Sequence, residues 1–542
     1  MSKTFYLSEF SGEGTAEKLN AAMATLKDNP GSTLVIEPGE YILTTELARQ
    51  AQENVMSGAW GKDPQPIMFN PDYKYSVGVD FSGHKDTTVI ANGVKFIVDG
   101  FMEIVSMSDC EGTTIEGLTI DHKRKPFSVG TVKNCTTVSD TEAYFDVELD
   151  EGFEIQPGTP VGMRYFVYNP NTERLEWPDL YAPHGKYIDE RTVRYTGKWL
   201  KKNIDGWKYY IWHTYHSRPA ILFQRAKNVT VKNVTVHSHP GMGITGNRTE
   251  NILVDGFRDI PAEGFHLSTN TDATHFTACS GDLIMRNCQF IEQGDDATNV
   301  HGYYHMVIAE NNGRYTVRND FPDGIAHTQT QDYPDVGDTL EINEYGSLTA
   351  LGTVKVLEVK RLNNRECELL LDGPLPGNPV EDKTFLFNIS KLPRLELYNN
   401  LCKGNFARGF LCKTRDVYIH DNVFEDIMGD AVCIYAEHSW REGTFSRDIR
   451  VENNIIRRCA HLGDPDDDDS VGGIEIDIYS ETPPSEPQIK NVSVINNVID
   501  CPNTEYAISI RYVDGLTVSG NSNISSRKAI RVRDSKNVEL SQ

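Results

Sequence analysis

The chain has 542 residues, of which 39% are hydrophobic and 10% aromatic, and this composition suits a folded protein with a sizeable core. Its formal net charge of −25 argues against nucleic acid or an anionic membrane surface as a partner, and argues weakly against a polyanionic substrate. No apolar run reaches the roughly 18 residues that a membrane span requires, so the sequence predicts no membrane-spanning helix.

The cysteines and the first residues bear on the cellular compartment. Ten cysteines are spread along the chain without a CxxC pair, a pattern typical of buried apolar residues rather than of a disulfide framework. The start, Met1–Phe5, lacks the hydrophobic segment of a signal peptide. The expectation is therefore a cytoplasmic protein, or an exported one from which a signal has been removed.

The N-terminal region predicts a capping helix. Residues 14–26 have helical periodicity, with Thr15 as the expected N-cap, and the segment from Ser32 reads as a strand, a Pro-Gly turn and a second strand. A helix placed before a stack of strands would cover its open apolar end, which would otherwise be an aggregation-prone edge.

An internal repeat then dominates the sequence. Each unit has Asn or Asp, alternating aliphatic residues, Asn or Gly, and a further apolar residue, as in 228–236, 251–257, 416–422 and 491–497. The spacing is 22 residues from Asn400 to Asn422. Period-two alternation makes each unit a strand with one inward face, which only stacking can bury, and the repeated Asn residues can form side-chain ladders.

The repeat length selects the fold. Propeller blades need about 40–50 residues, and the Leu-x-x-Leu-x-Leu signature of leucine-rich repeats is missing. The sequence therefore predicts an all-β protein, a right-handed parallel β-helix of the pectate-lyase-like solenoid type, with an N-terminal capping helix.

Two stretches without the repeat predict inserted domains. Residues 127–218 are rich in Trp, Tyr and Lys, and residues 303–392 contain alternating runs split by turns. Each is expected to form a small β-barrel or β-sandwich domain, set between solenoid segments 1–126, 219–302 and 393–542. The second insertion begins just past a pair of aspartates and should overhang them, a position in which insertions often carry specificity.

That pair, Asp295 and Asp296, lies 23 residues after Asp272, which is close to one repeat. Stacking would place Asp272 one coil away on the same side, and Gly294 permits the bend that turns both members of the pair outward. Mutual repulsion would raise the pKa of at least one carboxyl, so that it can protonate a departing oxygen while the others hold a water. We expect neither a cofactor nor a metal ion, although Gly-Asp-Asp alone could be a turn or a calcium ligand.

Several polar or aromatic residues fall near this face and are candidates for binding sugar hydroxyls or the apolar side of a pyranose. They are His275, Asn299, His301, Arg408, Glu437, Trp440 and Glu442. Asp430 is expected to have a structural role, and the acidic run 464–470 is expected to be a solvated loop, with calcium binding as the alternative.

At these residues the sequence resembles the family 110 glycoside hydrolases, which are exo-acting α-galactosidases on a β-helix with inserted barrels. The resemblance rests on four motifs: 271–282, 294–302, Asn405-Phe-Ala-Arg-Gly and Trp440-Arg-Glu-Gly. It implies hydrolysis of terminal α-1,3-linked galactose with inversion, on glycans or glycoconjugates. It also implies that Asp295 is the general acid and that Asp272 and Asp296 position the water.

Two other functions remain open from the residues. One is another β-helix carbohydrase, such as a polygalacturonase-like hydrolase or a polysaccharide lyase, which would need Lys or Arg to hold uronate carboxylates. The other is a non-catalytic glycan-binding solenoid, whose binding would survive the loss of all three aspartates.

Overall fold

A computed structural model describes residues 3–61, 64–68, 73–162, 164–178, 180–214, 216–319 and 332–541. Its main body is a stack of parallel strands in two long sheets, one with 22 strands and one with 11. The β-helix class predicted from the repeat is confirmed.

The 22-stranded sheet carries most of the repeat units. Its strands are Thr4–Tyr6, Thr33–Val35, Gly39–Thr44, Thr88–Asp99, Thr114–His122, Lys227–Lys232, Thr235–Val236, Glu250–Asp255, Arg258–Asp259, Ser280–Arg286, Gln289–Ile291, Arg394–Tyr398, Leu401–Lys403, Val417–His420, Val423–Glu425, Arg447–Glu452, Ile455–Arg457, Ile489–Ile495, Val498–Asp500, Val513–Ser519, Ser522–Asn523 and Lys536–Ser541.

The 11-stranded sheet follows the turn at the end of each repeat unit and carries the candidate site. Its strands are Val77–Asp80, Glu103–Ser108, Ile221–Gln224, Ile244–Asn247, Thr274–Thr277, Thr298–His301, Phe410–Cys412, Val432–Glu437, Val471–Tyr479, Tyr506–Arg511 and Lys528–Arg533.

An asparagine ladder ties successive coils together. The side-chain amide of Asn400 donates to Oδ1 of Asn422 at 3.0 Å, Asn422 to Asn454 at 3.0 Å, Asn454 to Asn497 at 2.9 Å, and Asn497 to Asn521 at 2.9 Å. Each Oδ1 also accepts the backbone N–H of the preceding ladder residue, so these buried turns keep their polar groups satisfied. The ladder expected at the turns is present.

The helices lie at the N-terminal end. They are a 3₁₀ helix Leu7–Glu9 and α-helices Thr15–Lys27, Glu46–Met56 and Gln65–Met68. Helix Thr15–Lys27 buries Leu19, Met23 and Leu26 against the solenoid core, as a cap should. Its N-cap is Gly14, with extended backbone and no side-chain hydrogen bond, so the assignment of Thr15 as N-cap was wrong by one residue.

The first inserted domain is an antiparallel sheet of seven strands. Within the described residues its pairing runs from one edge strand to the other without closing, unlike the barrel expected there. The strands are Phe127–Ser139, Glu142–Leu149, Arg164–Asn169, Arg174–Glu176, His184–Asp189, Thr192–Gly197 and Lys208–Trp212.

The second inserted domain is a closed six-stranded antiparallel barrel, as predicted. Glu341 anchors it to the solenoid by accepting hydrogen bonds from Arg415 and Thr444 at 2.6 Å each. The strands are Tyr304–Asn311, Arg314–Arg318, Thr339–Glu344, Ala350–Arg361, Glu366–Leu371 and Thr384–Asn388.

Within the described part of the chain, none of the helices has the length and apolarity needed to cross a bilayer.

Candidate active site

The three aspartates meet where their coils stack. The backbone N–H of Ala273 donates to the carbonyl of Asp296 at 3.0 Å, and the N–H of Asp296 donates to Oδ1 of Asp272 at 3.2 Å. Each of the three carboxylates, including that of Asp295, offers an oxygen within 4.8 Å of the others. Asp272 therefore lies one coil from the pair and on the same side, as the spacing predicts.

Gly294 lets the chain pass tightly beneath the inserted domain. A Cβ at this position would overlap the indole of Trp212 and the carbonyl oxygen of Asn270, so a larger residue would push the coil away. Trp212 belongs to the last strand of the first inserted domain. The glycine thus provides room for close approach, which fixes the position of Asp295 relative to that domain.

Two arginines from different parts of the chain hold the aspartate pair. Arg164, on the first inserted domain, donates from Nη1 to Oδ2 of Asp295 at 2.7 Å. Arg408, one coil further along, contacts both oxygens of Asp296 through Nε and Nη2 at 2.9 Å each, and its backbone N–H also donates at 2.9 Å. Asp296 is thereby locked in one orientation, with its side chain only 3% exposed.

Burial and neighbouring negative charges raise the pKa values of two of the three aspartates, Asp272 and Asp296. Burial raises the pKa of Asp272 to about 7, and the charges of Asp295 and Asp296 act in the same direction against the hydrogen bond from His275. Burial also raises the pKa of Asp296, with the charge of Asp295 adding to it and Arg408 opposing. A raised pKa for at least one carboxyl of the cluster is what the mutual repulsion of the three aspartates predicts.

A buried polar chain leads away from Asp272. His275 Nδ1 lies 2.6 Å from Oδ2 of Asp272, and His275 Nε2 lies 2.8 Å from Nε2 of His301. His301 Nε2 is 3.5 Å from Glu442, whose other oxygen accepts from Nζ of Lys413 at 2.8 Å. The His301 side chain is fully buried, so the structure places it behind His275 rather than on the open face.

The remaining predicted residues surround this chain. Lys413 also donates to Glu437 at 3.0 Å, and Glu437 and Glu442 pair through their backbones across a tight turn. That turn carries Trp440, which is 46% exposed. Asn299 lies in register with His275 on the neighbouring strand, and its buried Oδ1 accepts no hydrogen bond within the described structure.

Comparison with known proteins finds similar sequences over most of the chain. No family model matches the chain. The chain is 24% identical over 484 residues to the α-1,3-galactosidase A of Bacteroides fragilis (strain YCH46), covering 85% of this chain and 78% of that protein. It is 25% identical over 535 residues to the α-1,3-galactosidase B of Bacteroides thetaiotaomicron, covering 93% of this chain and 82% of that protein.

Over most of its length the chain is thus similar to proteins named α-1,3-galactosidase. The resemblance read from the sequence motifs is thus confirmed, and a glycoside hydrolase activity is supported. Among solved structures, an exopolygalacturonase from Thermotoga maritima superposes with a TM-score of 0.46 at 12% identity, covering 99% of this chain and 91% of that one.

Two charged residues of the candidate site were not predicted from the sequence, Arg164 and Lys413. Arg164 gives no signal in the sequence, because it lies in an insertion without a repeat whose placement depends on tertiary packing. Lys413 could have been found, because its backbone N–H bonds to the carbonyl of Val300 at 2.8 Å, so it stacks beside His301 in the coil register.

The three clustered carboxylates are close enough to share a cation. In the described structure, however, the guanidinium groups of Arg164 and Arg408 already lie against two of them. The acid/base chemistry considered for the site therefore has its charge balance from protein groups.

A second acidic group continues the same face beyond Arg408. Asp430 lies one coil further, where the N–H of Gly409 donates to its carbonyl at 2.9 Å. Burial raises the pKa of Asp430 well above its usual value, and the carboxylate of Glu475 adds to the effect. The Tyr479 hydroxyl donates to Glu475 at 2.8 Å, so this pair is tied into the surface beside the candidate site.

The acidic run 464–470 pairs with arginines of the last coil. Arg527 contacts Asp466 at 2.7 Å, and Arg531 contacts Asp469 at 2.9 Å. The carboxylates of both pairs are exposed, which fits the solvated loop that the sequence predicts.

Proposed function

We propose that the protein hydrolyses terminal α-1,3-linked galactose from oligosaccharides or glycoconjugates. The observation that carries the proposal is the meeting of Asp272, Asp295 and Asp296 on one face of the solenoid, in a relative of the α-1,3-galactosidases. The first insertion supplies Arg164 to this face, and Tyr304 of the second insertion anchors the Glu437–Glu442 turn by donating to the backbone carbonyls of Glu437 and Glu442 at 3.4 Å.

Asp295 is the proposed general acid. Its side chain is 15% exposed, against 8% for Asp272 and 3% for Asp296, so it is the carboxyl best placed to reach a departing oxygen. In the proposed step its proton passes to the glycosidic oxygen as the bond from that oxygen to the anomeric carbon breaks.

Asp272 and Asp296 are the proposed water-holding groups. As the water attacks the anomeric carbon from the opposite side, its proton passes to Asp272, whose Oδ2 is fixed by His275. Asp296 accepts from the water but keeps its negative charge, because Arg408 holds both of its oxygens. The products are free galactose and the shortened glycan, and one water is consumed.

Inversion at the anomeric carbon rests on the family resemblance alone. Acid and base in inverting enzymes are usually about 6.5–9.5 Å apart, and in retaining enzymes about 5–5.5 Å. Here the nearest carboxylate oxygens lie within 4.8 Å. With three carboxylates available, two can hold the water while the third protonates, and NMR of the first-formed galactose anomer decides between the two outcomes.

Sugar recognition is proposed for the groups around the aspartates. Asn299, Arg408 and Glu437 can exchange hydrogen bonds with galactose hydroxyls, and the exposed indole of Trp440 can stack on the apolar face of the ring. Because Nε2 of His275 faces His301, only the ring edge that carries Nδ1, beside Asp272, can approach the water or the substrate. We propose that His301 and Glu442 act behind this layer.

The test measures each variant on two substrates that differ in whether the leaving group needs a proton. Asp295→Asn is expected to lose about 10²–10⁴-fold in kcat on Galα1,3Gal, but to keep much of its activity on α-galactosyl fluoride, whose leaving group needs no proton. Asp272→Asn is expected to lose both activities. Activity of Asp295→Asn on the disaccharide close to that of the parent protein would overturn the acid assignment, and the reverse pattern would exchange the two roles.

The same preparation separates the alternatives. A polygalacturonase-like enzyme would cleave polygalacturonate and leave Galα1,3Gal intact. A glycan-binding solenoid would bind galactosides with equal affinity after replacement of all three aspartates. We expect the protein to release galactose from Galα1,3Gal and to leave polygalacturonate intact.

A further inference from the structure

Five ionisable side chains form a continuous buried chain that begins at Asp272. In order, they are Asp272, His275, His301, Glu442 and Lys413, joined by separations of 2.6, 2.8, 3.5 and 2.8 Å. All five side chains are less than 9% exposed, so no bulk water competes for these contacts. A buried chain of this kind must carry a definite number of protons.

The backbone sets which ring nitrogens carry them. His301 Nδ1 lies 3.1 Å from the carbonyl oxygen of Gly302, which can only accept, so this nitrogen holds a proton. Neutral His301 therefore presents a bare Nε2 to His275, which must donate from its own Nε2. The proton count on the other side of His275 then depends on Asp272.

The Asp272–His275 pair consequently holds one proton between Oδ2 and Nδ1. Either His275 is an imidazolium beside a carboxylate, or neutral His275 accepts from a protonated Asp272. Without that proton, a bare nitrogen would face a carboxylate at 2.6 Å, or two bare Nε2 atoms would face each other at 2.8 Å. Both arrangements are repulsive, so the chain resists the loss of this proton.

We propose that His301 and Glu442 are positioning residues that retain this proton and thereby hold Asp272 in its working orientation. The inference rests on the proposed role of Asp272 as the group that receives the proton of the water. His301 acts by accepting from His275, and Glu442 acts by placing a negative charge behind both rings.

Protonation directions agree with the geometry. Burial works against a charged His275, but its hydrogen bond to Asp272 and the charges of Asp272, Glu442 and Asp296 outweigh burial and raise its pKa. Burial lowers the pKa of His301 to about 3, with the charges of His275 and Lys413 acting in the same direction. The single added proton is thus held between Asp272 and His275 and not on His301.

The chain is enclosed by charged groups from every neighbouring element. Besides its own members these are Asp295 and Asp296 from the coil after Asp272, Arg408 from the coil after that, Glu437 from the turn, and the phenol of Tyr303 at the entrance to the barrel. None of these supplies a bond to Nε2 of His275 among the described contacts, so His301 alone fixes that end of the ring.

The test is the pH dependence of kcat on α-galactosyl fluoride, because that substrate removes the need for a general acid. In His301→Gln the amide can donate to Nε2 of His275, so neutral His275 with a proton on Nδ1 is no longer penalised. The alkaline limb is expected to move to lower pH by about 1 unit. Glu442→Gln is expected to move it in the same direction, because a negative charge that favours the imidazolium is lost.

His305→Gln is the matched control. His305 is equally buried and lies close by on the barrel, but it faces Asp332 at 3.5 Å and is not part of the chain. Its pH profile should match that of the parent protein. Inhibition by galactose, measured on all variants, reports whether the site is still assembled.

Unchanged alkaline limbs in both His301→Gln and Glu442→Gln would overturn the proposal, as would an equal shift in His305→Gln. If either chain variant fails to fold, the other variant decides. Absence of galactosidase activity in the parent protein would instead reject the proposed function. The two failures are therefore distinguishable.

Discussion

The buried ammonium of Lys413 gives the sharpest test of how the site is held together. Its side chain is 1% exposed and contacts Glu442 at 2.8 Å and Glu437 at 3.0 Å, whose side chains are 8% and 15% exposed. Lys413→Met keeps most of the apolar stem and removes the charge. Removing one partner of a buried ion pair costs about 3–5 kcal/mol, because the remaining charge stays buried without compensation.

A matched surface pair sets the scale. Lys232 is 46% exposed and lies 3.3 Å from Glu116, so Lys232→Met should cost about 0–1 kcal/mol. Thermal unfolding of both variants under identical conditions measures the difference. A loss for Lys413→Met no larger than that for Lys232→Met would refute the reasoning. Addition of Glu442→Gln to Lys413→Met should recover part of the loss, since one of the two stranded charges is then removed.

The loss should also depend on pH, with a sign fixed by Glu442. In the parent protein burial tends to raise the pKa of Glu442, but His301, Lys413 and His275 outweigh it and lower the pKa. That group therefore stabilises the fold above its unfolded pKa of about 4.3, and the contribution disappears as the pH falls toward the folded value. Without Lys413 the benefit is reduced, so the two proteins should differ most near pH 7 and converge below about pH 4. A difference that does not vary with pH would contradict this account.

Two further predictions concern the ladder and the first inserted domain. Asn454→Ala removes buried hydrogen bonds to Asn422, Asn497 and the carbonyl of Ile419, and should lower the free energy of unfolding by about 3–5 kcal/mol, measured by thermal unfolding. Asn521 lies at the partly exposed end of the ladder, so Asn521→Ala should lower it less because water can replace the lost partners. Trp177 is 46% exposed and packs edge-on at 4.7 Å against Phe406, beside the residue that bonds to the backbone of Asp295. If Trp177 contacts the leaving-group sugar, Trp177→Ala should raise KM for Galα1,3Gal roughly two- to tenfold and leave inhibition by galactose constant. Trp199 is a similarly exposed indole that stacks on Tyr181 within the domain, so Trp199→Ala should change neither KM nor inhibition by galactose. Equal effects of the two variants on KM would argue against a contact of Trp177 with the leaving-group sugar.

The meeting of Asp272 with the aspartate pair was predictable because a solenoid converts sequence spacing directly into position. One repeat adds one coil, so where no residues are inserted between coils a residue 22–24 positions away stacks on its counterpart. The same counting extended by one strand would have placed Lys413 beside His301. Nothing in the composition singles out Lys413, since a fully buried lysine is rare without partners, which here are supplied by a distant turn.

Arg164 could not be reached by such counting, and the reason is physical. Its position depends on how the first inserted domain docks, and that docking involves aromatic packing on the solenoid. Trp177 of the domain lies edge-on to Phe406 of the solenoid with ring centroids 4.7 Å apart, and the guanidinium of Arg164 lies 6.0 Å from the same Phe406 ring. Gly294 completes the fit, because it leaves room for Trp212 directly under the aspartate pair. The repeat therefore builds the carboxylate cluster, whereas the insertion decides how one member of it is charged and oriented.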